Sequence, residues 1–289
     1  MNNASQPSLR ERLKSDDILI APGVFEMISA KVADRKGFEA LYMTGYGVVA
    51  SYLGLPDAGI ASYTQMLDRV AQICDGTKTP LIADADTGYG GLLNIRETVR
   101  GYEAAGAAGI QIEDQEFPKK CGHTPGKKVV PLNEMVRRIQ VAVESRRHDD
   151  TLIIARTDAR AVNGLDDALR RAEACAKAGA DVLFVEAPTS EAEMEQICRS
   201  FDTPQLVNVA DGGMTPILSR ERYQEIGYSV AIYPATGFLA ATQVFDTVYG
   251  ALKNEGDSTS VQDLLYPFPE MSKLMGFEDV WEFDKKHAT

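Results

Sequence analysis

The chain has 289 residues, a formal net charge of -12, and 44% hydrophobic and 25% charged residues. A chain of that size builds a core without disulfide or metal staples, and its acidic balance argues against a nucleic-acid partner, which calls for a basic face. No apolar run approaches the ~18 residues that cross a bilayer. Residues 1–17 carry no apolar signal-peptide core, so a cytoplasmic protein with no membrane partner is expected.

Eight short apolar runs follow one another, at residues 18–24, 40–44, 80–86, 109–114, 151–158, 181–187, 205–210 and 229–234. Each is nearly continuous in Leu, Ile, Val and Ala, the pattern of a strand buried on both faces. Between them lie segments of helical periodicity, including 94–107, 133–147, 166–178 and 191–201. Gly106 and Gly179 stand where two of these helices should stop. Strands alternating with helices predict an α/β fold, a (β/α)8 TIM-type barrel. An open doubly wound sheet is the alternative, but no G-x-G-x-x-G follows the first strand. Past the eighth strand the chain exceeds one covering helix, and 271–283 reads as a further helical element with Phe277 and Trp281 as apolar contacts. One domain over 1–289 is expected, with a mobile N-terminal tail and a C-terminal helical extension. Cys74, Cys121, Cys175 and Cys198 show no C-x-x-C spacing, which suits a reducing compartment.

In such barrels the active site lies at the C-terminal ends of the strands. Those ends carry Thr44-Gly45-Tyr46-Gly47, then Asp84 and Asp86, Glu113-Asp114, Arg156-Thr157-Asp158, Glu186, Asn208 and Tyr233-Pro234, with Asp57 in the loop after the second strand. Charged groups in apolar strands are costly unless paired or metal-bound, so this cluster asks for a ligand. Asp84 and Asp86, two apart on one strand, share a face; with Glu113 and Asp57 they form an all-oxygen acidic set that suits Mg2+, or Mn2+. The other reading is that these acids pair with Arg156 or with lysines. Arg156 offers a planar fork for a carboxylate. His123 reads as a hydrogen-bonding residue, since no second His or Cys lies at metal spacing. Lys119-Lys120-Cys121-Gly122-His123 places a thiol among cationic side chains, which favours thiolate character; otherwise it is a solvated basic loop. Residues 115–128 are long and polar enough for an active-site lid.

These motifs, Tyr42-Met43-Thr44-Gly45, Leu53-Gly54-Leu55-Pro56-Asp57, Asp84-Ala85-Asp86-Thr87-Gly88-Tyr89-Gly90, Ile112-Glu113-Asp114-Gln115, the Lys119–His123 loop and Arg156-Thr157-Asp158, resemble the isocitrate lyase/phosphoenolpyruvate mutase superfamily. The similarity is greatest to its 2-methylisocitrate lyase/2,3-dimethylmalate lyase branch. The resemblance implies a barrel with a C-terminal helix swapped between subunits, a homotetramer and a required Mg2+. It implies Asp84 and Asp86 as metal ligands, with Asp57 and Glu113 acting through water. Backbone N–H groups of Thr44, Gly45 and Tyr46, with Arg156, would hold the substrate carboxylate. Glu186 and Asn208 would complete the pocket, Gly122 and Cys121 would lie on the lid, and Cys121 would be the acid/base. Tyr42 is a candidate proton acceptor, and His123 and Glu186 are further catalytic candidates.

The implied activity is cleavage of a 2-hydroxy carboxylate to pyruvate or a related 2-keto acid. Branch members acting on 2-methylisocitrate carry arginines aligned with Leu239 and Phe268, so a small dicarboxylate is expected before a tricarboxylate, with Leu239 facing an apolar fragment. Alternatives within the superfamily are a phosphonomutase and an oxaloacetate hydrolase. A catalytically inactive barrel is the remaining class, and the intact acids, Arg156 and Cys121 speak against it.

Overall fold

Each apolar run becomes a parallel strand in the computed structural model, which describes residues 8–288. The strands are β1 (Leu19–Val24), β2 (Leu41–Met43), β3 (Leu81–Asp84), β4 (Gly109–Glu113), β5 (Leu152–Thr157), β6 (Val182–Val185), β7 (Leu206–Asn208) and β8 (Val230–Tyr233). Their order, β6-β5-β4-β3-β2-β1-β8-β7, is the cyclic order of a barrel. A parallel bridge from Leu183 to Gln205 brings the two ends of the sheet together. Every residue of β3, β4, β5 and β6 is buried, because side chains fill the barrel inside and helices cover it outside.

Leu9 of α1 (Leu9–Arg12) packs with Leu19, Leu152, Leu206 and Val230, the first residues of their strands, and so plugs the N-terminal end of the barrel. A capping box between Ser8 and Glu11 starts that short helix. The outer helices are α2 (Met27–Arg35), α3 (Gly45–Leu53), α4 (Tyr63–Gly76), α5 (Leu92–Ala104), α6 (Leu132–Ser145), α7 (Ala159–Asn163), α8 (Leu165–Lys177), α9 (Glu191–Arg199) and α10 (Arg220–Ile226). In α6, Met135, Ile139 and Ala142 recur at helical spacing and form its buried stripe. Gly106 and Gly179, both at φ 101°, end α5 and α8 as expected, since L side chains rarely adopt that conformation.

The strands stop earlier than the apolar runs suggest. β3 ends at Asp84, and Asp86 turns off it at φ 47°; Ala187, after β6, lies at φ 58°. Asp84 and Asp86 therefore do not share a strand face. The left-handed turn brings them together instead, and such strain collects where function demands it.

The chain forms two compact units, Met1–Gly237 and Phe238–Thr289. The second contains most of α11 (Thr236–Glu255), a 3-10 turn at Thr259–Leu264, α12 (Phe268–Leu274) and α13 (Phe277–His287). The single helix expected over 271–283 is divided at Gly276, at φ 85°. Phe245, Tyr249, Phe268, Trp281 and Phe283 are all exposed. No described helix is long and apolar enough to cross a membrane. The expected N-terminal tail lies, over residues 1–7, outside the described residues.

Candidate active site

The acids gather at the C-terminal mouth of the barrel. Asp84 Oδ1 accepts hydrogen bonds from the Asp86 N–H (3.0 Å) and from Gln111 Nε2 (3.2 Å). Gly45 lies against this pair: a Cβ there would stand 2.7 Å from Asp84 Oδ2 and 3.6 Å from Asp86 Oδ1. Lys119, from the loop after β4, reaches in and pairs with Asp57 and with Asp86 Oδ1, the latter at 2.6 Å. Burial opposes the ammonium charge, but Asp86, Asp57, Glu113 and Asp84 outweigh it and push the Lys119 pKa well up. Among the described residues no three His, Cys, Asp or Glu side chains are grouped so as to hold a metal ion together. The lysine stands between the acids instead.

The acid set nevertheless has the chemistry for a hard cation. Asp86 Oδ1 and Glu113 Oε1 are buried and have no hydrogen-bond partner; the contact of Asp86 with Lys119 is an ion pair without aligned geometry. Burial, with Asp84 and Asp57 adding to it and Lys119 opposing, raises the Asp86 carboxyl to about 6. Burial likewise lifts Glu113 well above the usual carboxylate range, despite Arg156. Orphaned, closely packed carboxylate oxygens fit Mg2+, whose preferred donors are oxygens.

Arg156, from β5, is held on three sides. Its Nε and Nη2 donate to Asp158 Oδ2 (3.0 Å) and Oδ1 (3.1 Å), while Glu113 Oε2 lies at 3.4 Å and Glu186 Oε2 at 3.3 Å. Its guanidinium sits 5.2 Å over the Phe184 ring. Glu186 also accepts from Asn208 Nδ2 at 3.1 Å, and its Oε1 is 3.3 Å from His123 Nε2. The His123 tautomer follows from its other nitrogen: Nδ1 accepts the Met214 N–H at 3.1 Å, so in the neutral ring Nε2 carries the proton, between Glu186 Oε1 and the Asn208 side-chain amide at 3.2 Å. Asn208 Oδ1 is buried and has no partner.

Burial works against the Glu186 charge, yet Arg156, His123 and Lys127 lower its pKa to about 2. A carboxylate depressed on folding contributes stability that is present above its ordinary pKa of 4.5 and is lost as pH falls toward 2. Glu186→Gln should therefore destabilise the protein by about 3 kcal/mol at neutral pH, as when one partner of a buried ion pair is removed. The gap to the parent should shrink between pH 5 and 3. Urea denaturation of both proteins across that range measures it, and a gap constant with pH counts against an ionised Glu186.

The loop over residues 115–128 is docked onto this site. A bridge between Gln115 and Val129 closes its base, and the Cys121 N–H donates to the Asp57 carbonyl at 3.2 Å. At Gly122 a Cβ would collide with Arg156 Nη2 and stand 2.8 Å from Glu186, so only glycine lets the loop approach this closely. Buried Lys127 donates to the Gly122 carbonyl and, at 2.8 Å, to Asp158 Oδ1. The expected thiolate character of Cys121 is reversed. Burial pushes the thiol up, Asp57 and Glu186 add to this, and the His123 N–H and Arg156 only partly offset it. Its cationic neighbours are otherwise engaged: Lys119 with the acids, Lys120 with the Gly126 carbonyl and His123 with Glu186. The loop therefore carries a protonated thiol.

Other expected residues take different places. Thr44 caps α3, its hydroxyl accepting from Gly47, but its own N–H is spent on the Val24 carbonyl at 3.1 Å. It cannot serve an anion, which leaves the Gly45 end of α3, where the first N–H groups have no intrahelical acceptor. Tyr46, in the same turn, is 41% exposed. Tyr42 OH donates to Gln111 Oε1 at 3.0 Å, and burial, then Asp84, raises its pKa well above that of a phenol, so it is a poor proton acceptor. Asp114 points away from the mouth, accepting from Thr157, the Asp158 N–H and Arg171. Leu239 and Phe268 belong to the second unit and are exposed. Gln111, Lys127, Asp158 and Met214 drew no role from the sequence. A glutamine inside an otherwise apolar strand was the one available signal.

The profile of the phosphoenolpyruvate phosphomutase family matches residues 9–253. The chain is 43% identical to the 2,3-dimethylmalate lyase of Eubacterium barkeri over 289 residues, covering 100% of this chain and 99% of that protein. It is 41% identical to the 2-methylisocitrate lyase of Aeropyrum pernix, covering 97% and 89%. Among solved structures, an oxaloacetate acetylhydrolase bound to 3,3-difluorooxalacetate superposes with a TM-score of 0.92 at 34% identity, covering 96% of this chain and 95% of that one. A phosphonopyruvate hydrolase in complex with oxalate and Mg2+ gives 0.88 at 28% identity, covering 97% and 98%.

Proposed function

Since the chain belongs to the phosphoenolpyruvate mutase/isocitrate lyase superfamily, we propose that it is a Mg2+-dependent carbon–carbon lyase acting on a 2-hydroxy dicarboxylate of the substituted-malate type. The products are pyruvate, or a related 2-keto acid, and a second carboxylate. The observation that carries this reading is the placement of the Cys121 thiol on a loop docked at the acid cluster and against Arg156 and Glu186, where burial raises its pKa and favours the protonated form.

Asp84 and Asp86, with Asp57 and Glu113, would hold the cation, and Mg2+ would supply Lewis-acid polarisation of the substrate's hydroxyl and carboxylate oxygens. Arg156 and the N-terminus of α3 orient the carboxylate of the keto-acid half. Asn208 Oδ1 adds an unused acceptor to the pocket. The C2 hydroxyl loses its proton to solvent as the substrate seats; its oxygen then closes the C2=O bond of the keto acid while the C2–C3 bond breaks, and that bond's electron pair stays on C3 as an aci-carboxylate carbanion. Cys121 Sγ gives its proton to that carbon, as a positioned general acid. The docked loop keeps water from quenching the carbanion first. An apolar residue, Leu239, at the position that the family resemblance gives to an arginine in members acting on 2-methylisocitrate, favours a dicarboxylate. The four free cysteines suit a cytoplasmic setting, and the exposed aromatic residues of the second unit support a homotetramer.

The test is incubation with Mg2+ and, in turn, 2,3-dimethylmalate, 2-methylmalate, 2-methylisocitrate, isocitrate and oxaloacetate, with assay of keto acids and oxalate. Keto acid from a substituted malate is the expected result. Fast turnover of 2-methylisocitrate overturns the argument from Leu239. Oxalate from oxaloacetate favours a hydrolase, the activity of one structural neighbour. No product from any of the five moves the assignment to phosphonate chemistry.

A further inference from the structure

The loop after β7, residues 209–215, meets the docked lid at one residue. The Met214 N–H donates to His123 Nδ1 at 3.1 Å. A Cβ on Gly213 would stand 2.7 Å from that same nitrogen and 3.0 Å from both Cβ and O of Ala210. Real Cβ atoms do not come that close, so one of the two chain segments would have to move. Gly213 is not in a left-handed conformation; its neighbour Gly212, at φ 75°, is, and a Cβ on Gly212 would meet nothing within 4 Å. The absence of a side chain at 213 thus serves contact with the lid, at the shortest of these approaches, as well as the fold of its own loop against Ala210, while glycine at 212 serves the turn of the backbone. On the opposite side of His123, Gly122 shows the same steric requirement against Arg156 and Glu186.

We propose that Gly213 and Met214 are positioning residues: they form a socket that receives His123, fixes its tautomer and so holds Cys121 at its working position. The proposal rests on reading residues 115–128 as an active-site lid. It adds a second requirement for closure, on a loop that touches none of the reacting groups. With Nδ1 occupied by the Met214 N–H, Nε2 carries the proton and faces both Glu186 Oε1 and the Asn208 side-chain amide. Without the socket, His123 loses the contact that fixes its tautomer, and the thiol two residues earlier loses one of the contacts that seat its loop, leaving the Cys121 N–H on the Asp57 carbonyl.

The test compares Gly213→Ala with Gly212→Ala in the full-length protein. Hydrogen–deuterium exchange over the peptide 116–128, with and without Mg2+ and oxalate, reports lid docking. Gly213→Ala should speed exchange there at least tenfold and lower kcat/KM about 100-fold, the scale of loss from a misplaced catalytic group. Its Mg2+ dissociation constant should match the parent's. Gly212→Ala, despite its strained backbone, should leave lid exchange as in the parent. The decisive arm is the His123→Ala background, where the lid-side clash is gone and only the contacts with Ala210 remain, and adding Gly213→Ala should change exchange less than twofold. Parental exchange in Gly213→Ala overturns the socket, and so does an equal effect in both backgrounds, which would mark a merely structural glycine. Exchange is read without turnover, so a protein that cleaves none of the five acids would sink the lyase assignment and leave this test intact.

Discussion

Cys121→Ala and Cys121→Ser should each lower kcat by about 10²–10⁴-fold, the range a positioned general acid contributes, with Mg2+ affinity unchanged. The argument runs through protonation. Burial raises the Cys121 pKa, and the Asp57 and Glu186 carboxylates raise it further. A thiol in that setting is a proton donor at neutral pH and a poor nucleophile. A serine hydroxyl has nearly the same shape but holds its proton far more tightly, so the serine variant should be almost as impaired as alanine. Single-turnover experiments should show cleavage with slow release of the protonated second product. If Cys121→Ser keeps turnover within tenfold of the parent, the proton comes from elsewhere. Phosphoryl migration, which needs no donor at this position, then becomes the better account.

The barrel was legible because β-strands buried on both faces write themselves as unbroken apolar runs, and all eight runs became strands. The positions of most of the acids were legible for the same reason, since the end of an apolar strand lies at the mouth, although Asp114 turns away to Thr157 and Arg171. What a one-dimensional reading misses is pairing across strands. Lys127 lies 31 residues from Asp158, and Met214 lies 91 from His123, so nothing local connects them. The loop lysines show the cost. Counting three cations around Cys121 suggested a thiolate, whereas in the fold each has another partner, and burial, followed by the Asp57 and Glu186 carboxylates, outweighs what lowers the thiol pKa. Asp86 is a subtler case. Its proximity to Asp84 was anticipated, but through strand alternation, when the cause is a left-handed turn.

Asp86→Asn should abolish measurable Mg2+ binding in a calorimetric titration and reduce kcat/KM by at least about 10³-fold, since Lewis-acid assistance contributes several kcal/mol and each 1.4 kcal/mol is tenfold in rate. The same substitution should leave the metal-free protein as stable as the parent or more so. Asp86 Oδ1 is buried with no aligned hydrogen bond, its neighbours include Asp84 and Asp57, and one ammonium, Lys119, faces all three. Removing one negative charge from that group relieves repulsion, while Lys119 keeps Asp57 as partner. Carboxylates packed together for binding repel one another, and stability gained at the expense of function is the mark of such a site. The opposite pattern separates the two roles the acids could have. If Asp86→Asn lowers the melting temperature of the metal-free protein and leaves Mg2+ affinity intact, Asp86 is an ion-pair partner for Lys119 and the cation is held elsewhere. Lost binding with retained stability assigns the carboxylate to the metal and makes Lys119 the counter-ion that stands in for it.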